Sequence, residues 1–199
     1  MRTLAIAVLL AAAPSAARAA DYDIDSAHSG ASFTVKHMMI STVRGELSGL
    51  KGVVSWTKPD FSDAKIDVTI DAGTISTHEP DRDKHLKSPD FFDVAKFPTL
   101  TFKSTKVVKQ GDKVKISGDL TLHGVTKPVT FDAAAPSKEI KDPWGNTRVA
   151  STATTKINRK DYGLNWNKAL EAGGVLVGEE VTIEVNLELV KKADKKAER

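Results

Sequence analysis

Four side chains able to ligate a metal or move protons crowd one short stretch: His78, Asp81, Asp83 and His85. Imidazole and carboxylate are the ligand types of zinc and non-haem iron sites. Their spacing matches no metal motif, and Arg82 and Lys84 place two positive charges among them. The pattern therefore reads as a charged helical turn with local ion pairs, Arg82 and Asp83 pairing with neighbouring strands, and no metal is expected. Arg82, Lys84 or His85 also suit contact with a ligand head group, since a guanidinium matches phosphate geometry. His28-Ser29 with Asp25 upstream has the residue types of a nucleophilic triad. Three near neighbours on an extended chain do not converge, and the sequence has no Gly-x-Ser-x-Gly elbow. No catalytic residue is expected. Cysteine is absent, which removes thiol catalysis and thiolate metal sites. His37 ends an apolar face, as a rim residue or as a donor to a ligand oxygen. His123 lies in a turn and is expected to be exposed. Trp144 and Trp166 read as core or rim anchors.

The segment Asp81–Pro98 must position most of these groups. Asp81 sits near the positive end of a helical turn, and Pro89 and Pro98 forbid both a long helix and a central strand. Phe91, Phe92 and Phe97 are too apolar for a solvated loop. The segment reads as a short helical plug over one opening of a β-structure, carried between two strands.

Nearly everything around the plug alternates. Ala31, Phe33, Val35 and His37 share one face. So do Val43, Gly45 and Leu47, then Leu50, Gly52, Val54 and Trp56, then Ile66, Val68 and Ile70, with Ile75 extending the last strand. Beyond the plug come Leu100 and Phe102, a Gln110-Gly111-Asp112 hairpin turn, and Val114, Ile116, Gly118, Leu120 and Leu122. His123–Pro128 reads as a connection before Val129 and Phe131. Asp142-Pro143-Trp144-Gly145 is a turn. A Thr-rich strand, Arg148 to Ile157, precedes an irregular stretch with a short helix near Trp166 to Ala172. Val181, Ile183, Val185, Leu187 and Leu189 end the pattern. About eight strands with short turns give an all-β, antiparallel fold, either a sandwich or a barrel. Gly45, Gly52 and Gly118 on apolar faces favour the barrel, whose walls must bend. The interior is either filled by side chains or partly empty, and alternation alone leaves both open. An empty tube would suit an elongated apolar ligand. The expected lining is Phe33, Val35, Val54, Trp56, Ile66, Val68, Phe91, Phe92, Phe102, Leu120, Leu122 and Phe131, with His37, Arg82 and His85 at the rim.

Met1-Arg2, the apolar run from Leu4 to Ala13 and Ala17-Arg18-Ala19 form a secretory signal peptide, expected to be cut after Ala19. No Cys follows the run, so the mature chain is not expected to be a lipoprotein, and it has no further stretch long enough to span a bilayer. The chain of 199 residues carries a formal charge of +3. Without Arg2 and Arg18, 27 basic residues face 26 acidic ones, and the tail 191–199 holds five and two of them. The body thus has 22 against 24, which supports no nucleic-acid partner. Three parts are expected: the signal peptide at 1–19, a domain at 20–190, and a basic, disordered tail at 191–199.

Several segments resemble the YceI family of exported lipid-binding proteins. They are Arg82–Phe92, Gly118–Val129 and Asp142–Gly145, together with Asp25-x-x-His28-Ser29, His37 and Gly45. The similarity runs in order from about Tyr22 to Leu189. It implies a lipocalin-like antiparallel barrel with a long apolar pore. It also implies binding of an isoprenoid lipid, isoprenoid quinone, prenyl phosphate or fatty amide, a periplasmic location and a homodimer. No established catalytic residues come with the family. The expected function is sequestration or carriage of such a lipid. An enzyme acting on an isoprenoid lipid and a ligand-free structural or stress protein remain the alternatives.

Overall fold

Each alternating stretch forms a strand. In chain order these are β1 (Ala20–Ile24), β2 (Gly30–His37), β3 (Ser41–Ser48), β4 (Lys51–Trp56), β5 (Lys65–Asp71), β6 (Thr99–Gln110), β7 (Lys113–Leu122), β8 (Val125–Ala134), β9 (Ile140–Lys141), β10 (Thr147–Asn158) and β11 (Val177–Lys191). The computed structural model describes residues 20–171 and 173–193. The expected signal peptide, Ala172 and the tail from residue 194 lie outside them. The tail was expected to begin at 191, but Lys191 belongs to β11 and pairs with Tyr22. Its ammonium also meets Glu139 at 2.8 Å.

Every strand pairing is antiparallel, and eight strands close a ring in the order β11-β1-β4-β5-β6-β7-β8-β10. The closing pair runs in register from Arg148 opposite Val190 to Asn158 opposite Glu180. Closure pairs both sides of the eight ring strands, leaving only β3 and β9 at the edges of the sheet among the described residues. The other edge of β11 is shared. β1 takes its C-terminal end through Tyr22–Ile24, and β2 takes the rest through Gly30–His37. The β2–β3 hairpin therefore prolongs the wall beyond the ring at one end.

Gly45 and Gly118 serve close packing in this wall. A Cβ on Gly45 would overlap the Phe33 ring, and one on Gly118 would overlap the Phe102 ring. Each aromatic ring lies over a neighbouring glycine inside the tube.

Four local expectations differ from the structure. Ile75 does not extend β5: a 3-10 turn at Ala72–Thr74, capped by the Asp71 side chain on the Gly73 N–H, turns the chain first. The connection between β7 and β8 is only His123-Gly124, and Pro128 already lies in β8 opposite Asp119. No helix forms around Trp166 among the described residues. The Asn167 side chain bonds both the N–H and the carbonyl of Val177, at 3.0 and 2.7 Å, holding this stretch against β11. A 3-10 turn forms earlier, at Arg159–Tyr162, between an Asn158 cap and left-handed Gly163. His123 is half-buried, its Nδ1 lying 3.1 Å from the Tyr162 carbonyl and its ring against Phe97.

The interior is filled at one end. Tyr22, Ile24, Leu50, Val54, Val149 and Leu189 form a buried cluster there. Trp56 stacks on Tyr22 with ring centroids 4.3 Å apart. Arg148 straps the outside of this end, donating to Asp25, Asp142 and Glu188 at 2.6, 2.7 and 2.5 Å.

Candidate functional site: an apolar cavity under a helical lid

The plug is a lid built on one helix, α1 (Pro80–Lys87). Glu79 caps it by accepting from the N–H groups of Asp81 and Arg82, and Pro80 occupies the first turn. Acidic residues lie in its first turn and basic ones in its last, as the helix dipole favours. Asp83 accepts from the Thr77 N–H at 2.7 Å and from the Thr77 hydroxyl at 2.5 Å. Burial raises the pKa of Asp83, but the bonds from Thr77 outweigh it and hold the group below its ordinary value. Arg82 donates to the Thr77 hydroxyl and carbonyl, at 2.7 and 3.0 Å. Neighbouring Ser76 bridges to Glu46 of β3. Arg82 and Asp83 thus bond the loop before α1 rather than neighbouring strands.

Ser88 stops the helix by bonding the His85 carbonyl, and the Phe92 N–H returns to the Leu86 carbonyl. These bonds turn Leu86, Phe91 and Phe92 onto the barrel. His85 meets Asp90 at 2.8 Å and lies edge-on to Phe91 and Trp166. Trp166 is half-buried in this aromatic seam, whereas Trp144 is 81% exposed at the opposite end.

Beneath the lid lies a cavity of about 200 Å³ whose wall presents no accessible polar surface. It is lined by Phe33 and Val35 of β2, Ile66 and Val68 of β5, and Phe91 and Phe92 of the lid. Phe102, Leu120, Leu122 and Phe131 complete the far wall. Five residues expected at the site lie off this wall. Val54 and Trp56 point inward at the filled end, where Tyr22 and its neighbours cover them. His37 lies on the strand beside Val177 and Ser41. Arg82 is committed to Thr77 and His85 to Asp90. The wall also includes Val181, Ile183, Val185 and Leu187 of β11, and Leu164. The alternation of β11 carried that signal, but it could not say which stretch of the strand bounds a hollow.

Arg159 reaches the wall without any sequence signal. It is only 3% exposed. Its guanidinium donates to the carbonyls of Gly178 at 2.8 Å and Val177 at 3.3 Å, and to Leu164. Burial pulls its pKa down, partly opposed by Glu179. It ties the turn after β10 to the start of β11 from behind the apolar wall. Nearby, the buried Tyr162 hydroxyl has no hydrogen-bond partner among the described residues, and burial, with Asp161, pushes its pKa up to about 12.

Asp25, His28 and Glu188 do converge in space, their ligand atoms lying within 4.8 Å of one another. The Arg148 guanidinium already bonds both carboxylates. The Ser29 hydroxyl is bonded to the backbone of Glu188, not to His28. The group is an ion-pair cluster outside the filled end. Asp25 is held below the usual carboxylate range by Arg148 first and His28 second.

Comparison with known proteins bears on this geometry. The model of the YceI-like domain matches residues 22–189. A UPF0312 protein of Vibrio parahaemolyticus is 40% identical over 164 residues, covering 81% of this chain and 85% of its own. The crystal structure of Burkholderia cenocepacia BcnA superposes with a TM-score of 0.70 at 20% identity, covering 83% of this chain and 99% of that one. A polyisoprenoid binding domain from Saccharophagus degradans, implicated in plant cell wall breakdown, gives 0.61 at 15% identity, covering 86% and 98%. The barrel fold is shared with both.

Proposed function

The chain belongs to the YceI-like family, and from that premise we propose that it is an exported carrier or store for a long apolar lipid held inside the barrel. The observation that carries this reading is the cavity: its accessible surface is apolar and an aromatic lid covers it. A hollow with an apolar surface forfeits packing contacts, which a hydrocarbon chain restores. Each methylene moved from water is worth about 0.8 kcal/mol, so ten of them supply about 8 kcal/mol. That matches micromolar affinity without a polar contact. Selectivity for the chain then follows from tube length and bend.

The ligand class is an isoprenoid lipid, isoprenoid quinone or fatty amide, in line with the polyisoprenoid-binding neighbour. The contacts are proposed at Phe33, Val35, Ile66, Val68, Phe91, Phe92, Phe102, Leu120, Leu122 and Phe131. The protein acts by sequestration rather than turnover, because the wall brings together no acid–base pair among the described residues. The N-terminal leader supports a periplasmic location, and no helix of the described residues is long and apolar enough to cross a membrane. The working form is a homodimer. Organic extraction of purified protein followed by mass spectrometry should recover a lipid of this class. No recovered lipid and no uptake of a fluorescent polyprenyl probe would refute the proposal.

A further inference from the structure

The β2–β3 turn breaks two rules at once. Met38, Met39 and Ile40 are consecutive, apolar, and 40%, 59% and 82% exposed. Met38 and Met39 also hold left-handed backbone, at φ 51° and 64°. That conformation suits Asn or Gly in a hairpin and is unfavourable for a bulky residue. Local stability and water solubility would both improve with an Asn-Gly turn, so neither accounts for the apolar tip.

Its place in the fold says what it serves. Val35, three residues before Met38, lines the cavity, as does Val177, which pairs with His37 at the base of the turn. The Met38 N–H bonds the Leu176 carbonyl at 2.8 Å, and Met39 lies against Gly174 of the neighbouring turn. The tip therefore stands at the lid-covered end, on the strand that forms the cavity wall. Behind it on the same hairpin, Lys36 and Arg44 are exposed, and no acidic residue lies between them. Apolar tip and basic collar match the layers of an anionic bilayer: acyl chains first, phosphates next.

We propose that Met38-Met39-Ile40 is a membrane-docking tip. It dips into the interface of an anionic bilayer, with Lys36 and Arg44 on the phosphates, and sets the lid end of the cavity against the membrane. The inference rests on the lipid-carrier reading and adds its partner. A chain of many methylenes leaving the cavity through water would lose its burial at every methylene. Docking removes that aqueous step. Methionine suits the task because its flexible side chain packs adaptably.

The test uses vesicles of phosphatidylglycerol and phosphatidylethanolamine and a fluorescent polyprenyl probe. Two quantities are read: probe bound by the protein in solution, and probe transferred between vesicles. The double variant Met39→Asp with Ile40→Asp changes only exposed side chains. It should bind the probe as the parent does, while transfer and vesicle co-sedimentation fall about tenfold or more. Lys36→Glu with Arg44→Glu should lower transfer less, and added salt should abolish that difference. Trp144→Asp, at the filled end, should change neither quantity. Unchanged transfer by the double variant, with probe still bound, would overturn the docking tip and leave the carrier reading standing. Equal loss with Trp144→Asp, or co-sedimentation independent of the tip, would overturn it as well. Failure of the parent protein to bind any probe would remove both proposals.

Discussion

The two ends of the barrel use the same alternating strands and finish in opposite ways. At the end where β1 meets β11, Tyr22 points into the tube, stacks on Trp56 and is closed in by Val54, Val149 and Leu189. Its hydroxyl reaches Glu139 at 2.6 Å, and Glu139 in turn meets Lys191. At the other end Phe33 and Val35 of β2 and Val177, Val181 and Ile183 of β11 face inward and leave a hollow between them and the far wall. There a separate segment supplies the cover. The difference teaches that alternation decides which side chains face inward, while one large residue in the right register decides whether they touch. The filled end holds the barrel together, and the hollow end is free to take a ligand.

Truncation should separate the ends most widely. Leu189→Ala, buried in the filled cluster, should cost about 3 kcal/mol in urea unfolding. Ile183→Ala, on the cavity wall, should cost about 1 kcal/mol, because that side chain already lacks neighbours on one side. Equal costs would break the comparison. Enlargement should reverse the pattern. Val149→Phe should destabilise by about 2 kcal/mol through overpacking. Ala153→Phe, which enters the hollow, should leave stability within about 0.5 kcal/mol and displace the lipid probe.

Acid should act through the strap outside the filled end. Asp142 is partly buried, which raises its pKa. Bonds from Arg148 and Asn146 outweigh this and lower it to about 2. Asp25 and Glu139 are lowered too, Asp25 chiefly by Arg148 and Glu139 chiefly by Lys191. A carboxylate whose pKa is lower folded than unfolded binds fewer protons in the native state. Its contribution is full above about pH 5 and is lost as pH falls from about 4 towards 2. Urea midpoints measured across that range should show the loss, and Asp25→Asn should flatten it. The smallest effect is expected beside the cavity. Tyr162→Phe removes a buried hydroxyl that has no partner among the described residues, and should be neutral or stabilising by up to about 1 kcal/mol in thermal unfolding.

The strands were readable because each buries one face, which imposes a period of two on Val, Ile and Leu. The lid was readable because Pro89, Pro98 and three phenylalanines cannot coexist in a strand or a solvated loop. Trp56 shows the limit. Its inward direction follows from alternation, but its burial under Tyr22 depends on pairing Ala20 with Trp56 and Tyr22 with Val54, a long-range register that no local pattern carries. Arg82 and His85 had the chemistry of a head-group site. Their hydrogen bonds to Thr77 and Asp90 arise from the fold of the lid, and nothing in their spacing announces those partners. Arg159 is the converse, the first of three consecutive charged residues in an irregular stretch, whose carbonyl partners at Val177 and Gly178 come into reach only once β11 has docked.

β11 carries a kinetic consequence as well. It joins β10, β1 and β2, so the first and last strands of the domain meet edge to edge. Barrel closure must wait for the C-terminal strand, whatever the order of synthesis. Pairings so distant along the chain slow folding. A chain of this topology is held open until its final fifteen-residue strand arrives.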